Sequence, residues 1–114
     1  HDQSSAASDV YKRQDLFINM VEQTCSDLHL ESPIKSSERG SQVSFSHPSG
    51  YAIMQALIDR NIVGDFRAPN IIRFGITPLY INEEDIIQTV MVLKNIMSNR
   101  LWDNPAYLNR KKVT

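Results

Sequence analysis

The segment from Gly64 to Tyr80, with the sequence GDFRAPNIIRFGITPLY, is the most informative part of this chain for its fold. Its second half, residues 71–76, alternates side chains in a way that is typical of a β-strand with one buried face. One side of this predicted strand carries three apolar residues: Ile72, Phe74 and Ile76. The opposite side carries Ile71, Arg73 and Gly75. The pattern therefore places an arginine on the second face of an otherwise apolar strand.

Arg73 is the strongest candidate for a binding residue in this stretch. A guanidinium on a strand of this kind is costly unless an anion meets it, and Gly75 leaves space beside it. Two interpretations follow from the residues alone. Arg73 is a clamp for a carboxylate or phosphate, or it is a structural arginine paired with a nearby Asp or Glu.

The remaining periodicity predicts a small mixed domain. Helices are expected over about 15–28, 51–60 and from residue 83 onward, and strands near 42–47, 62–66 and 71–76. Ser49 is a candidate N-cap, and Asn82 with Asp85 is predicted to form a capping box. The order α-β-α-β-β-α predicts an α+β fold, with a sheet of about three strands and helices on one face. The other face, which carries Arg73, is expected to meet another domain.

The two ends of the chain differ from its middle. The first residues are polar and without period, lack an initiating Met, and from Ser4 to Gln14 resemble translated adapter sequence. Residues 1–14 are therefore predicted to be a non-native or disordered leader, residues 15–101 the domain, and residues 102–114 an irregular tail. The chain is expected to be the tail of a longer protein.

Composition excludes several classes of function. The 114 residues carry a formal net charge of −1 and show no basic stripe with interleaved aromatics, so no nucleic-acid partner is expected. No apolar run approaches the length that spans a bilayer, so no membrane association is expected. The single cysteine, Cys25, excludes an intramolecular disulfide and suits a cytoplasmic location. Its spacing predicts a small buried apolar residue rather than a nucleophile.

The other candidate residues favour structural roles. His29 and His47 lack partners at metal-ligand spacing, so no metal site is predicted, and His47 is expected to be a partly exposed residue at a strand end. Arg67 is expected to pair with Asp65 or to cap the turn, with a role at a domain boundary as the alternative. Tyr80 is expected to be a packing residue. Five lysines are expected to be ordinary surface residues: Lys12, Lys35, Lys94, Lys111 and Lys112.

Four segments in order resemble the C-terminal domain of kynureninase, and the resemblance covers roughly residues 15–100. They are Arg39–Phe45, His47-Pro48, Gly50–Ile58 and Gly64–Tyr80. The resemblance implies a fold-type-I enzyme that uses pyridoxal 5'-phosphate to hydrolyse kynurenine, or its 3-hydroxy form, to the corresponding anthranilate and alanine. It implies that Arg73 holds the substrate α-carboxylate.

The same resemblance implies that the reacting centre lies elsewhere. The Schiff-base lysine and the phosphate cup would belong to a large domain that precedes this one, so the chain alone is predicted to be inactive. The implied partners are kynurenine, that large domain and a second copy of the enzyme in a cytoplasmic homodimer. Two alternatives are the small domain of another fold-type-I enzyme (a class V aminotransferase or a cysteine desulfurase) and a non-catalytic α+β ligand-binding module.

Overall fold

A computed structural model describes residues 2–33, 35, 40–76 and 82–109, with residues 2–9 described by their backbone. The helices are α1 (Asp2–Thr24), α2 (Gly50–Asp59), α3 (Glu83–Ser98) and α4 (Pro105–Leu108). The strands are β1 (His29–Leu30), β2 (Gln42–Ser46), β3 (Gly64–Arg67) and β4 (Ile71–Gly75). They form one antiparallel sheet in the order β1-β2-β4-β3. The predicted α+β class is confirmed.

The inner face of the sheet carries the core. On β4, Ile72 is fully buried and Phe74 is 2% exposed, and they lie opposite Phe45 and Val43 of β2. Phe17 of α1 packs against this face, with its ring centroid 4.9 Å from that of Phe74 in an edge-to-face arrangement. The apolar half of the alternation at residues 71–76 is therefore the half that the helices cover.

The predicted capping box at the start of α3 is present. The Asn82 side chain accepts a hydrogen bond from the Asp85 backbone N–H at 2.9 Å, and the Asp85 carboxylate accepts one from the Asn82 N–H at 3.0 Å. Both contacts satisfy backbone N–H groups that the helix itself leaves without partners. Ser49 is the N-cap residue of α2, as predicted, but its side chain makes no capping hydrogen bond.

The start of the first helix corrects the sequence prediction. Helix α1 begins at Asp2 rather than near Asp15 and ends at Thr24. Gln14 is buried, and its Nε2 donates to the Gly40 carbonyl oxygen at 2.7 Å. Gln14 therefore packs on the domain, and the helix starts earlier than the sequence predicted. Disorder of the leader stays a prediction. A non-native origin of residues 1–14 stays a prediction.

The sheet and the tail also contain more regular structure than expected. The two-residue strand β1 pairs with β2 and makes the sheet four-stranded. The predicted irregular tail contains α4, whose Tyr107 hydroxyl donates to the Asp59 carboxylate at 2.7 Å. Trp102 is buried. Two residues hold the start of this tail against the body of the domain.

Two details of the predicted helical stripes differ. The helical spacing predicts buried stripes that include Ile58 in α2 and Met97 in α3. In the structure, Ile58 is 46% exposed, and Ile96 rather than Met97 is fully buried. Both differences lie near helix C-termini, where neighbouring elements decide which side is covered. In the described ranges, no helix is long and apolar enough to cross a membrane.

Candidate carboxylate-binding site

Arg73 lies at the middle of the outer face of the sheet. It belongs to β4, which has β2 on one side and β3 on the other, so Arg73 lies opposite Ser44 on one strand and Asp65 on the other. Its side chain is 23% exposed. The predicted orientation of Arg73, away from the apolar core, is confirmed.

Asp65 forms a two-point ion pair with Arg73. The Nε of Arg73 donates to Oδ1 of Asp65 at 2.6 Å, and Nη2 donates to Oδ2 at 2.6 Å. Residues that lie directly opposite on antiparallel strands bring their side chains within reach of one another, which is how the register creates this contact. The structural pairing that the sequence left open is therefore present in this chain.

The pair leaves part of the guanidinium available. Asp65 occupies the edge formed by Nε and Nη2, and none of the residues that the structure describes accepts a hydrogen bond from Nη1. A guanidinium carries five N–H donors in a planar fork, so a second edge, formed by Nη1 and the remaining N–H of Nη2, can bind another carboxylate. Pairing with Asp65 and binding of a ligand are therefore compatible.

Gly75 provides the space that the sequence predicted beside Arg73. It follows Arg73 by two residues on β4 and so shares its face of the sheet. A Cβ built on Gly75 would have no described atom within 4 Å. Among the described residues, this position on the same strand and face as Arg73 is therefore not filled by a side chain.

The electrostatics of the site follow from the ion pair. The hydrogen bonds from Arg73 hold the pKa of Asp65 below its usual range, and the same contact raises the pKa of Arg73. Nearby Arg67 also lowers the pKa of Asp65. The Asp65 carboxylate thus lies under the influence of two arginines, while the Glu31 carboxylate accepts a hydrogen bond from Ser46 on the same face.

The contact between Asp65 and Arg73 corrects the expectation for Arg67. Arg67 was expected to pair with Asp65 or to cap the turn, but the Asp65 carboxylate bonds to Arg73, which lies opposite it on β4. Arg67 is exposed and lies opposite Ile71, at the end of the β3–β4 pair. A role for Arg67 at a domain boundary stays a prediction.

A mainly apolar cavity lies apart from Arg73. It has a volume of about 420 Å³ and is lined mainly by apolar residues of the core side, among them Phe17, Phe74, Ile76 and Ile86. Arg73 does not line it. Residues 77–81, which connect Ile76 to Asn82, lie outside the described part of the chain. The candidate site is therefore defined by Arg73 and its neighbours on the outer face.

His47 lies in a second cluster, beyond the end of β2. Its Nδ1 accepts a hydrogen bond from the Ser49 N–H at 2.9 Å, and its ring lies 5.8 Å from that of Trp102. Arg100 stacks over Trp102 at 4.8 Å, and Asp27 lines the same surface pocket. Burial lowers the pKa of His47. The bond from Ser49 requires a ring nitrogen without a proton, so His47 is neutral in this arrangement.

The remaining candidate residues either lie where their sequence patterns predicted or fall outside the residues that the structure describes. Cys25 is 3% exposed, and burial raises the pKa of its thiol, which confirms the prediction of a small core residue. The described residues contain no group of three or more His, Cys, Asp or Glu side chains that could hold a metal ion. Tyr80 lies outside the described residues, so its predicted packing role stays a prediction.

The fold and the site together define a class: a small α+β domain that presents an oriented arginine on the outer face of its sheet. The family model for the kynureninase C-terminal domain matches residues 9–93. The chain is similar to kynureninase of Pseudomonas fluorescens, with 46% identity over 102 residues. It is also similar to kynureninases of Burkholderia mallei (strain SAVP1) and Burkholderia pseudomallei (strain K96243), each with 44% identity over 102 residues.

These matches cover 88% of this chain and 24% of each relative. The chain therefore spans about a quarter of the length of the curated relatives that it matches. Because the family model matches more than half of the chain, the chain belongs to the kynureninase C-terminal domain family.

Proposed function

We propose that this chain is the C-terminal part of a kynureninase and that Arg73 binds the α-carboxylate of the substrate. The full enzyme would hydrolyse kynurenine, or 3-hydroxykynurenine, to anthranilate, or 3-hydroxyanthranilate, and alanine, in tryptophan catabolism and NAD biosynthesis. The observation that carries the proposal is the orientation of Arg73 on the outer face in a chain of this family. A planar guanidinium recognises a carboxylate through two parallel hydrogen bonds.

The chain supplies one wall of the proposed active site. Within the described residues, one pair of Arg73 N–H donors has no acceptor, and a Cβ on Gly75 would meet no described atom within 4 Å. A substrate carboxylate bound there would fix one end of the molecule and so orient its scissile bond relative to the rest of the enzyme. In this role Arg73 binds and positions the substrate carboxylate and takes no part in proton transfer.

The described part of this chain does not fit pyridoxal phosphate. Its three lysines, Lys12, Lys35 and Lys94, are all exposed, so none offers an enclosed amine to the cofactor's carbonyl carbon. We therefore assign the cofactor to the part of the enzyme beyond this chain. The same part would provide the large domain that covers the outer face, and the full enzyme is proposed to be a cytoplasmic homodimer.

The test is a hybrid enzyme in which this chain replaces the matching quarter of Pseudomonas fluorescens kynureninase. The expected result is a protein that binds the cofactor and releases anthranilate or 3-hydroxyanthranilate from the corresponding substrate. Cofactor absorbance and size-exclusion chromatography show whether the hybrid is folded and dimeric. A folded, cofactor-loaded hybrid that hydrolyses neither substrate would overturn the proposal and favour a different fold-type-I activity or a non-catalytic module.

A further inference from the structure

The side chain of Asp65 is placed to control the direction of the Arg73 guanidinium. Both carboxylate oxygens of Asp65 accept hydrogen bonds from the Arg73 guanidinium, each at 2.6 Å. A pair with two parallel hydrogen bonds fixes the plane of the guanidinium as well as its position. A free arginine side chain samples many rotamers, and ordering it on binding costs conformational entropy. The ion pair removes part of that cost before any ligand arrives.

Asp65 itself is held by the sheet. It lies on β3 directly opposite Arg73, in a register that also pairs Gly64 with Phe74. Its own side chain is 50% exposed, and the pKa of the carboxyl is held below its usual range, so Asp65 is ionised at neutral pH. Asp65 therefore offers a permanent anionic anchor on one edge of Arg73.

We propose that Asp65 is a positioning residue, which holds Arg73 by its Nε and Nη2 edge and directs the remaining edge toward the ligand carboxylate. The inference rests on the proposed role of Arg73 and adds a residue that contacts neither the substrate nor the reacting atoms. Asp65 acts entirely through Arg73. Its removal therefore has an effect only where Arg73 is present.

The experiment is a double-mutant cycle in the hybrid enzyme with Arg73→Ala, Asp65→Ala and the double variant. Asp65→Ala is expected to lower kcat/KM by roughly 10-fold, because the untethered arginine has to be ordered on binding. In the Arg73→Ala background, the same change is expected to have no further effect. Asp65→Asn keeps one acceptor for Nε and is expected to fall between the wild type and Asp65→Ala. Asp65→Glu, which keeps both oxygens, is expected to restore part of the loss.

A binding measurement separates positioning from a structural role. A kynurenine analogue without the α-carboxylate is titrated beside an unreactive analogue that retains it. Asp65→Ala is expected to weaken only the carboxylate-bearing analogue. The inference would be overturned if Asp65→Ala weakened the binding of both analogues equally. It would also be overturned if Asp65→Ala lowered kcat/KM equally in the wild-type and Arg73→Ala backgrounds.

The outcomes distinguish this inference from the proposed function. If Arg73→Ala lowers kcat/KM and Asp65→Ala leaves it unchanged, the positioning role is wrong and the carboxylate role of Arg73 stands. If Asp65→Ala raises kcat/KM, Asp65 competes with the substrate and the positioning role is wrong. If Arg73→Ala is fully active, the carboxylate role itself fails. Thermal unfolding of each variant, with Asp65→Asn as the mildest change, shows whether a loss reflects the fold.

Discussion

A Cβ atom on Gly64 would lie 2.6 Å from the backbone carbonyl oxygen of Arg73. The two residues belong to adjacent strands, β3 and β4, and real Cβ atoms do not approach a backbone atom so closely. The glycine is therefore required by the distance between the strands. Asp65, the next residue, lies directly opposite Arg73 in the register of the two strands.

Replacement of Gly64 is expected to destabilise the domain. Gly64→Ala forces β3 away from β4 and is expected to lower the free energy of unfolding by about 1–3 kcal/mol. Gly75→Ala is the matched control on β4, because its Cβ would meet no described atom within 4 Å. Urea unfolding of both variants measures the difference. Equal stability of the two variants would contradict the structural requirement at Gly64.

Stability is expected to depend on the protonation of His47. Burial lowers its pKa from the ordinary value of 6.5, so the folded state favours the neutral ring. On acidification, the unfolded chain takes up the proton first. The contribution of neutral His47 to the free energy of unfolding is therefore fully present above about pH 6.5. It is lost as the pH falls from there through the lowered pKa of His47 in the folded state.

The variant His47→Asn isolates this effect, because an amide oxygen replaces Nδ1 as the acceptor for the Ser49 N–H and does not titrate in this range. Unfolding free energies of the wild type and the variant, compared from about pH 7.5 to pH 5, are expected to diverge as the pH falls, with the wild type losing more. Parallel curves for the two proteins would show that His47 carries no such linkage.

Arg73 is expected to be the most sensitive residue of this chain for activity. In the hybrid enzyme, Arg73→Ala is expected to lower kcat/KM by about 10²- to 10³-fold, because a two-point charged contact with the substrate is lost. Arg73→Lys is also expected to be poor, since one ammonium cannot reproduce the planar fork. Cofactor absorbance and the unfolding temperature are the controls, and both are expected to stay close to the wild type. Full activity of Arg73→Ala would return Arg73 to a structural role beside Asp65.

The 114-residue chain by itself is expected neither to hydrolyse kynurenine nor to hold pyridoxal phosphate covalently. Its described lysines are exposed and have no enclosing pocket for the cofactor. The check is to mix purified chain with pyridoxal phosphate and borohydride and to map the products by mass spectrometry. Low, scattered labelling is expected. A stoichiometric adduct at one lysine would contradict the assignment of the cofactor to another part of the enzyme.

The capping box of α3 is expected to contribute measurably to stability. Asn82→Ala removes the acceptor for the Asp85 N–H and is expected to cost about 0.5–2 kcal/mol in the free energy of unfolding. Asn82→Ser keeps a capping oxygen and serves as the control, with a smaller loss. Urea unfolding measures both, and identical stability of Asn82→Ala and the wild type would exclude a role for this cap.

The sequence alone predicted the features that depend on local pattern. The alternation at residues 71–76 predicted both the buried face of β4 and the outward direction of Arg73, because side chains on a strand alternate with a period of two. The capping box at Asn82 depends on residues three positions apart. The resemblance to the kynureninase C-terminal domain was likewise visible in ordered segments, and the family match confirms it.

Features that depend on which segments meet are visible only in the three-dimensional structure. The partner of Asp65 is set by the register of β3 against β4, and the sequence could not show whether Arg67 or Arg73 lies across from it. A two-residue strand such as β1 has no period, so it exists only because β2 is beside it. The burial of Trp102 depends on contacts between distant parts of the chain. Local sequence pattern determines which face of a helix or strand is apolar. Packing between elements determines which residues contact that apolar face and which contact the opposite, polar face.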